Sequence, residues 1–157
     1  MKTTHYFIER CLALGKQAAE KRNSAVGALI VKEDSIISEA EEAVKTKNDI
    51  TCHAEMEAIR QAVKTLMTND LSDCILYSTH EPCIMCSYAI RFYKIKEVFY
   101  LQQSKYLGGV SSALPLLTTD HVPPGWSNAP NINHVKEDSW IWIQYFLFLP
   151  DLDIAHK

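Results

Sequence analysis

The sequence lacks the long apolar segments that mark exported and membrane-spanning proteins. Its first 22 residues carry Glu9, Arg10 and Lys16 within their apolar pattern, so they lack the continuous apolar block of a secretory signal. The longest apolar run, residues 140–150, is interrupted by a glutamine and ends at Pro150, well short of the roughly 20 residues that a membrane span needs. We therefore expect a cytoplasmic protein with no membrane partner.

The sequence also lacks the cysteine pattern of a disulfide-stabilised protein and the cluster of basic residues that is typical of a nucleic-acid-binding protein. Five cysteines at irregular spacing, without an export signal, do not indicate a disulfide framework, and Cys11, Cys52 and Cys74 are predicted to be packing residues. The last arginine is Arg91, and from residue 101 onward three lysines stand against five acidic residues. A protein that grips a phosphate backbone normally concentrates basic residues on one face. We therefore expect a small-molecule partner rather than a nucleic acid.

The pattern along the chain predicts one α/β domain over residues 1–157, with 47% hydrophobic residues to form its core. The spacing predicts helices from Thr3 or Thr4 to about Arg22, over 53–67 and after Pro82, a hairpin over 24–40 that turns at 32–34, and strands over 73–79 and 96–102. This order favours a sheet between helices, with parallel crossovers in its later half. Residues 121–134 are predicted to form a long surface loop.

A single Cys-x-x-Cys pair, Cys83 and Cys86, follows Pro82 directly. Proline suits the first turn of a helix, which would place both sulfurs on one face near a helix N-terminus, where thiolates are stabilised. Such a pair serves in a redox site, in half of a structural zinc site or in a catalytic metal site. A closed structural site would need two more ligands, and the chain has neither a second Cys-x-x-Cys nor a His pair.

The segment TCHAEMEAI, residues 51–59, favours the catalytic metal site. His53 lies at the start of a predicted helix and offers a third ligand. Glu55, two residues on, does not share its face and can reach the site without binding the ion. Zinc held by one histidine and two cysteines keeps its fourth tetrahedral position for water, and a carboxylate beside that water can accept its proton.

His-x-Glu followed by Pro-Cys-x-x-Cys is the signature of zinc-dependent nucleobase deaminases. The chain resembles the cytidine-deaminase superfamily over roughly residues 24–112, and the likeness is carried by AVGALIV, NDITCHAEMEAIR and LYSTHEPCIMCSYAI. It is greatest for the branch that holds guanine deaminase, fungal cytosine deaminase and bacterial tRNA adenosine deaminase.

The resemblance implies both a fold and a set of site residues. The implied fold is a three-layer α/β/α sandwich with a mixed five-stranded sheet, and members of this branch are commonly homodimers. The implied site has one Zn²⁺ on His53, Cys83 and Cys86, with Glu55 as the catalytic base and acid. The backbone N–H groups of Ala54 and Cys83 are implied to help hold the substrate.

Glu42 bears on the choice of substrate. Eleven residues before His53 the resemblance leads us to expect an asparagine that contacts the base, and the sequence has Glu42. An ionised glutamate only accepts hydrogen bonds. It suits a base that presents N–H donors, unless Glu42 points to solvent at the end of the hairpin. We therefore expect an aminohydrolase that releases ammonia from a free nucleobase or nucleoside, best a guanine-like amino-purine. Adenosine in tRNA, cytosine and a zinc-binding partner module without turnover are the alternatives.

Overall fold

The structure, a computed structural model, describes residues 2–136, in which five strands form one mixed sheet between helices. The elements are α1 (Thr4–Glu20), β1 (Gly27–Lys32), β2 (Ser35–Glu41), α2 (Val44–Lys47), α3 (Ala54–Leu66), β3 (Ile75–His80), α4 (Ile84–Phe92), β4 (Glu97–Gln102) and β5 (Asn131–His134). The strand order is β2-β1-β3-β4-β5. The pairs of β1 with β2 and β3 are antiparallel, and those of β4 with β3 and β5 are parallel. The predicted mixed five-stranded sheet is confirmed.

The strand β1 is apolar along its length because both of its faces are covered. Ala28 and Ile30 belong to the core cluster formed with α3 and α4, whereas Leu29 and Val31 belong to the cluster formed with α1. The alternation of successive side chains across a strand produces this division. Full burial of a leucine or isoleucine side chain contributes about 1.5–3 kcal/mol. Helices on both faces of the sheet give the three layers that the resemblance implied.

Local backbone chemistry sets the ends of the first elements. Thr3 caps α1, since its hydroxyl accepts a hydrogen bond from the Tyr6 N–H at 3.3 Å. The hairpin turns through Glu33 and Asp34, whose φ angles of 48° and 61° lie in the left-handed region typical of tight hairpin turns. Both elements were predicted from the sequence, although α1 ends at Glu20, slightly earlier than expected.

Three details of the sequence prediction were wrong. Pro82 lies outside α4, because Cys83 is the N-cap and the helix begins at Ile84. The short helix α2 was not predicted. The last residues of the predicted loop over 121–134 form β5, a polar edge strand that pairs with β4 and lacks the apolar signature of a buried strand.

The apolar run over residues 140–150, which the sequence indicates is too short for a membrane span, lies outside the described residues. Within residues 2–136, none of the helices combines the length and the apolar character that a membrane crossing requires.

Candidate metal centre

The N-terminal ends of α3 and α4 bring the predicted ligands together. His53 is the N-cap of α3 and Cys83 is the N-cap of α4, both with extended backbone, and Cys86 lies in the first turn of α4. The Nδ1 atom of His53 lies 3.5 Å from the Cys83 sulfur and 3.6 Å from the Cys86 sulfur, and the two sulfurs are 3.7 Å apart. Two caps that belong to different helices therefore point their side chains at one place.

This triangle of donor atoms fits a tetrahedral zinc ion. Zinc bonds of about 2.3 Å to sulfur and about 2.0 Å to nitrogen imply separations of about 3.8 Å between two sulfurs and about 3.5 Å between sulfur and nitrogen. Within residues 2–136, His53, Cys83 and Cys86 form the one group of at least three His, Cys, Asp or Glu side chains that could share an ion. The three residues can therefore hold one metal ion and leave its fourth position open.

The local field favours the charged form of a ligand thiol. A hydrogen bond shared with the Cys86 thiol lowers the pKa of the Cys83 thiol to about 4, and a further one shared with His53 acts in the same direction, although burial opposes the shift. The positive end of the α4 dipole acts in the same direction. A thiolate is the form of cysteine that binds zinc, so Cys83 is prepared for coordination.

Glu55 lies beside the metal ligands and is buried in the first turn of α3. Its Oε2 atom is 3.6 Å from the Cys86 sulfur, and its Oε1 atom accepts a hydrogen bond of 3.0 Å from the Ser78 hydroxyl. The predicted base therefore reaches the site from the same helix end as His53. The geometry matches a carboxylate that handles protons next to the ion rather than one that binds it.

A second buried carboxylate, Glu81, braces the loop that follows β4. Its two oxygens accept hydrogen bonds from the N–H groups of Ser104, Val110 and Ser111, at 3.0, 2.8 and 2.7 Å. The Ser111 hydroxyl donates a fourth bond of 2.6 Å. Glu81 thus ties residues 104–111 to the chain immediately before Cys83.

The same loop lies directly against the metal-binding turn. The Ile84 N–H donates to the Leu107 carbonyl at 3.0 Å, and the Gly109 N–H donates to the Pro82 carbonyl at 2.8 Å. A Cβ atom at Gly108 would lie 2.2 Å from Oε1 of Glu81, which explains why this position lacks a side chain. The loop and the cysteine turn therefore form one packed unit.

The three residues predicted to contact substrate occupy different settings. Glu42 is buried, not solvent-facing, and its carboxylate accepts hydrogen bonds from the N–H groups of Ser24 at 3.0 Å and Val44 at 3.3 Å. Ala54 is the first residue of α3, where helix geometry gives its N–H no carbonyl partner. Cys83 occupies the equivalent end of α4. Their contact with a substrate remains a prediction.

The remaining sequence expectations concern packing. The three cysteines outside the pair are buried as predicted: Cys11, Cys52 and Cys74. His80 is half-buried, and Trp126 packs edge-on against Tyr88 of α4, with ring centroids 4.8 Å apart.

Sequence reasoning missed three polar residues that the fold buries. They are Ser78, Glu81 and Arg91, all nearly inaccessible to solvent. Strand alternation puts Ser78 on the face of β3 shared with Leu76, so its burial towards α3 was predictable. No comparable periodic signal marks Glu81. The guanidinium of Arg91 donates to the carbonyls of Leu116 and Thr119, a role that spacing does not reveal.

Three protein ligands with one open position, beside a buried carboxylate, define a metal-dependent hydrolytic centre. The sequence matches the family model of the cytidine and deoxycytidylate deaminase zinc-binding region over residues 1–102. The chain therefore belongs to this family of zinc-binding deaminases. The predicted superfamily, zinc cofactor and aminohydrolase class are confirmed.

Two relatives show how far the similarity extends. A tRNA-specific adenosine deaminase of Aquifex aeolicus (strain VF5) is 43% identical over 129 residues, covering 82% of this chain and 79% of the relative. A guanine deaminase of Bacillus subtilis (strain 168) is 46% identical over 98 residues, covering 60% of this chain and 61% of the relative. The similarity to the Aquifex protein is the more extensive of the two.

Solved structures give the same two kinds of neighbour. A structure from a study of A-to-I editing by tRNA:A34 deaminases at the wobble position of transfer RNA has a TM-score of 0.76 at 30% identity. It covers 83% of this chain and 98% of that chain. The X-ray structure of guanine deaminase from Bacillus subtilis has a TM-score of 0.65 at 28% identity and covers 99% of both chains.

Proposed function

We propose that this protein hydrolyses the exocyclic amine of an adenosine in tRNA, with His53, Cys83 and Cys86 as zinc ligands and Glu55 as the proton carrier. The observation that carries the proposal is the similarity to a tRNA-specific adenosine deaminase over 82% of the chain. The buried carboxylate of Glu55 argues against a partner module without turnover, since a purely structural zinc site gains nothing from it.

Glu55 performs the proton transfers of this reaction. A bound zinc ion supplies Lewis acidity toward the attacking water. Oε2 of Glu55, the oxygen that faces the ligands, takes up a proton from that water and delivers it to the ring nitrogen beside the reacting carbon. The carboxylate then carries the second proton to the departing amine, so water and an amine become a carbonyl and ammonia.

The starts of α3 and α4 hold the substrate in this proposal. The N–H groups of Ala54 and Cys83 lie at the two helix N-termini that also present the metal ligands. Helix N-termini bind groups that carry or develop negative charge. These two donors are therefore suited to the oxygen that replaces the amine.

The charge distribution of the described residues does not oppose a nucleic-acid substrate. Residues 2–136 contain fifteen basic and fifteen acidic residues, so the net charge of −3 arises from the residues beyond 136. Lys105 and Tyr106 are exposed on the loop that packs against the cysteine turn, and Tyr106 is 70% accessible. A lysine beside an exposed ring is suited to a phosphate and an unstacked base of an RNA loop. The initial expectation against nucleic acid rested on the C-terminal charge alone.

Ammonia release from a panel of substrates tests the proposal. Guanine, cytosine, adenosine and tRNA should be compared at one enzyme concentration and at two salt concentrations. We expect turnover of tRNA that falls steeply with salt, because counterions compete for the phosphates. Turnover of guanine without turnover of tRNA would overturn the tRNA proposal.

A pair of lysine variants sharpens this experiment. Lys105→Ala should weaken tRNA use and reduce the salt slope by about one unit if the side chain contacts a phosphate. Lys64→Ala is the matched control, because Lys64 is also exposed but lies near the end of α3 that is far from His53. Equal effects of the two substitutions would show that the loop makes no specific phosphate contact.

Glu42 favours a second candidate, a guanine-like free base. Its two oxygens each accept one backbone N–H, and each oxygen retains a further lone pair that can accept from a base. Guanine presents N–H donors, whereas the ring nitrogens of an adenine edge are acceptors. The similarity to Bacillus subtilis guanine deaminase supports the same alternative.

The variant Glu42→Gln separates the two candidates. If the carboxylate reads an N–H edge, the amide should slow a guanine-like substrate by the equivalent of a charged hydrogen bond, about 1.5–3 kcal/mol. Unchanged rates on guanine, cytosine, adenosine and tRNA would show that Glu42 serves only Ser24 and Val44.

We also propose that the protein is a homodimer. Tyr88 and Phe92 lie on the outer face of α4 with 53% and 48% of their surfaces exposed, and their rings are stacked. Exposed apolar patches mark interaction surfaces. Sedimentation of Tyr88→Ala should show weaker association than that of Met67→Ala, a control in which an exposed side chain at the end of α3 is removed. A monomeric parent protein would contradict the proposal.

A further inference from the structure

The hydroxyl of Ser78 links the sheet to the carboxylate of Glu55. Ser78 lies on β3 and is fully buried, and its Oγ donates to Oε1 of Glu55 at 3.0 Å. The same oxygen accepts a hydrogen bond of 3.2 Å from the His80 N–H. Because a serine hydroxyl has one proton to donate, the bond received from His80 leaves that proton directed at Glu55.

The backbone around Ser78 is held on both sides. Within the sheet, Ser78 is paired with Ala28 of β1 and with Tyr100 of β4. A residue in the centre of a paired sheet cannot shift without breaking its ladder. The hydroxyl therefore has a fixed place relative to the start of α3.

The two oxygens of Glu55 thus face different partners. Oε1 is held by Ser78, while Oε2 lies 3.6 Å from the Cys86 sulfur, on the side of the metal ligands. Rotation about the last side-chain bond of a glutamate is soft, because this torsion has no sharp staggered minimum. A directed hydrogen bond to one oxygen is what defines the direction of the other.

We propose that Ser78 is a positioning residue for Glu55: its hydroxyl holds Oε1 so that Oε2 stays turned toward the reacting atoms. The inference rests on the proposed function, since it assigns Glu55 the proton transfers of deamination. Ser78 acts through Glu55 and is not itself assigned a contact with substrate or metal. Loss of its hydroxyl should slow the chemical step and leave substrate and metal binding intact.

The chain offers a matched control in Ser38. This serine is also buried on the sheet and also donates to α3, but its partner is the carbonyl of Ala58 at 2.6 Å. Ser38→Ala and Ser78→Ala each remove one buried hydroxyl that joins the sheet to the same helix. A general loosening of α3 would affect both variants, whereas of these two serines Ser78 is the one that donates to Glu55.

The first experiment compares the two variants with the parent protein on whichever substrate of the panel the parent deaminates. For Ser78→Ala we expect kcat to fall about 10- to 100-fold, the loss of one charge-assisted hydrogen bond in the transition state. KM and zinc content should stay unchanged, because the lost contact acts on the chemical step. Ser38→Ala should keep kcat within about twofold of the parent. An unchanged kcat in Ser78→Ala, or an equal fall in both variants, would overturn the inference.

A spectroscopic measurement on the zinc-free protein tests the contact independently of activity. The infrared difference between each protein and its Glu55→Gln counterpart isolates the carboxylate stretching band of Glu55. We expect the band to shift in Ser78→Ala and to stay in place in Ser38→Ala. A band that is the same in all three proteins would overturn the inference. A parent protein that deaminates nothing in the panel would instead overturn the proposed function, and the infrared result would still decide the role of Ser78.

Discussion

Glu55 and Glu81 are both buried carboxylates next to the metal ligands, but their oxygens meet different kinds of partner. Both oxygens of Glu81 are occupied by three N–H groups and one hydroxyl of the loop over residues 104–111. Glu55 instead has one oxygen on the Ser78 hydroxyl and the other beside the Cys86 sulfur. A carboxylate whose two oxygens both accept hydrogen bonds from one loop holds that loop in place. A carboxylate with one oxygen facing the metal ligands can carry protons.

The comparison predicts opposite outcomes for the same substitution at the two sites. Exchange of a carboxylate for an amide changes shape very little but removes the charge and the ability to take up a proton. We expect the substitution of Glu55 to lower the rate of turnover and the substitution of Glu81 to lower the free energy of unfolding.

Glu55→Gln should lower turnover by about 10²- to 10⁴-fold, the usual contribution of a general base and acid. Zinc content and thermal stability should stay close to those of the parent, because the three ligands are intact. Ammonia release, elemental analysis and a melting curve measure the three quantities. Full activity in this variant would remove Glu55 from the mechanism.

Glu81→Gln should lower the free energy of unfolding by about 1.5–3 kcal/mol. The reason is that the N–H₂ group of the amide would face N–H and O–H donors whose hydrogen bonds the carboxylate accepts. Denaturant unfolding followed by circular dichroism gives this value. Turnover per folded molecule should fall much less than in Glu55→Gln. If the ranking of the two rates were reversed, the roles assigned to the two carboxylates would have to be exchanged.

Glu39→Gln provides the surface reference for both. Glu39 pairs with Arg10, whose hydrogen bond is the main cause of the lowered pKa of this carboxyl, but both side chains are more than a third exposed. Exposed ion pairs contribute at most about 1 kcal/mol. We expect a change in unfolding free energy below that value and no change in rate. If Glu39→Gln lowered the free energy of unfolding as much as Glu81→Gln, burial would not explain the stabilising effect of Glu81.

The ligand set was predictable because its signal is local in the sequence. His53 and Glu55 are two residues apart, and Cys83 and Cys86 are three apart. Each pair can therefore be recognised in the sequence by its residue types and spacing. Helix N-termini then bring the pairs together, as the sequence predicted, although the cap of α4 proved to be Cys83 itself. The strand β1 and the apolar parts of β3 and β4 were equally visible, since burial on both faces of a sheet favours short apolar runs.

The role of Glu81 and the strand β5 were not predictable in the same way. Glu81 accepts hydrogen bonds from residues that are 23 to 30 positions away in the chain. The residues next to Glu81 in the sequence do not indicate that its carboxylate contacts the loop over residues 104–111. The strand β5 was missed because Asn131–His134 is short and polar and is defined by its pairing with β4. The setting of Glu42 was also hidden, since its carboxylate accepts a hydrogen bond from the N–H of Ser24, 18 residues away in the chain.

The zinc content of two cysteine variants shows whether His53, Cys83 and Cys86 form the metal centre. The parent protein should hold about one zinc per chain by elemental analysis, as expected for a site with one histidine and two cysteine ligands. Cys83→Ala should lose the metal together with ammonia release. Cys74→Ala, which removes a buried packing cysteine outside the ligand group, should keep both. Stoichiometric zinc in Cys83→Ala would contradict the assignment of the metal centre.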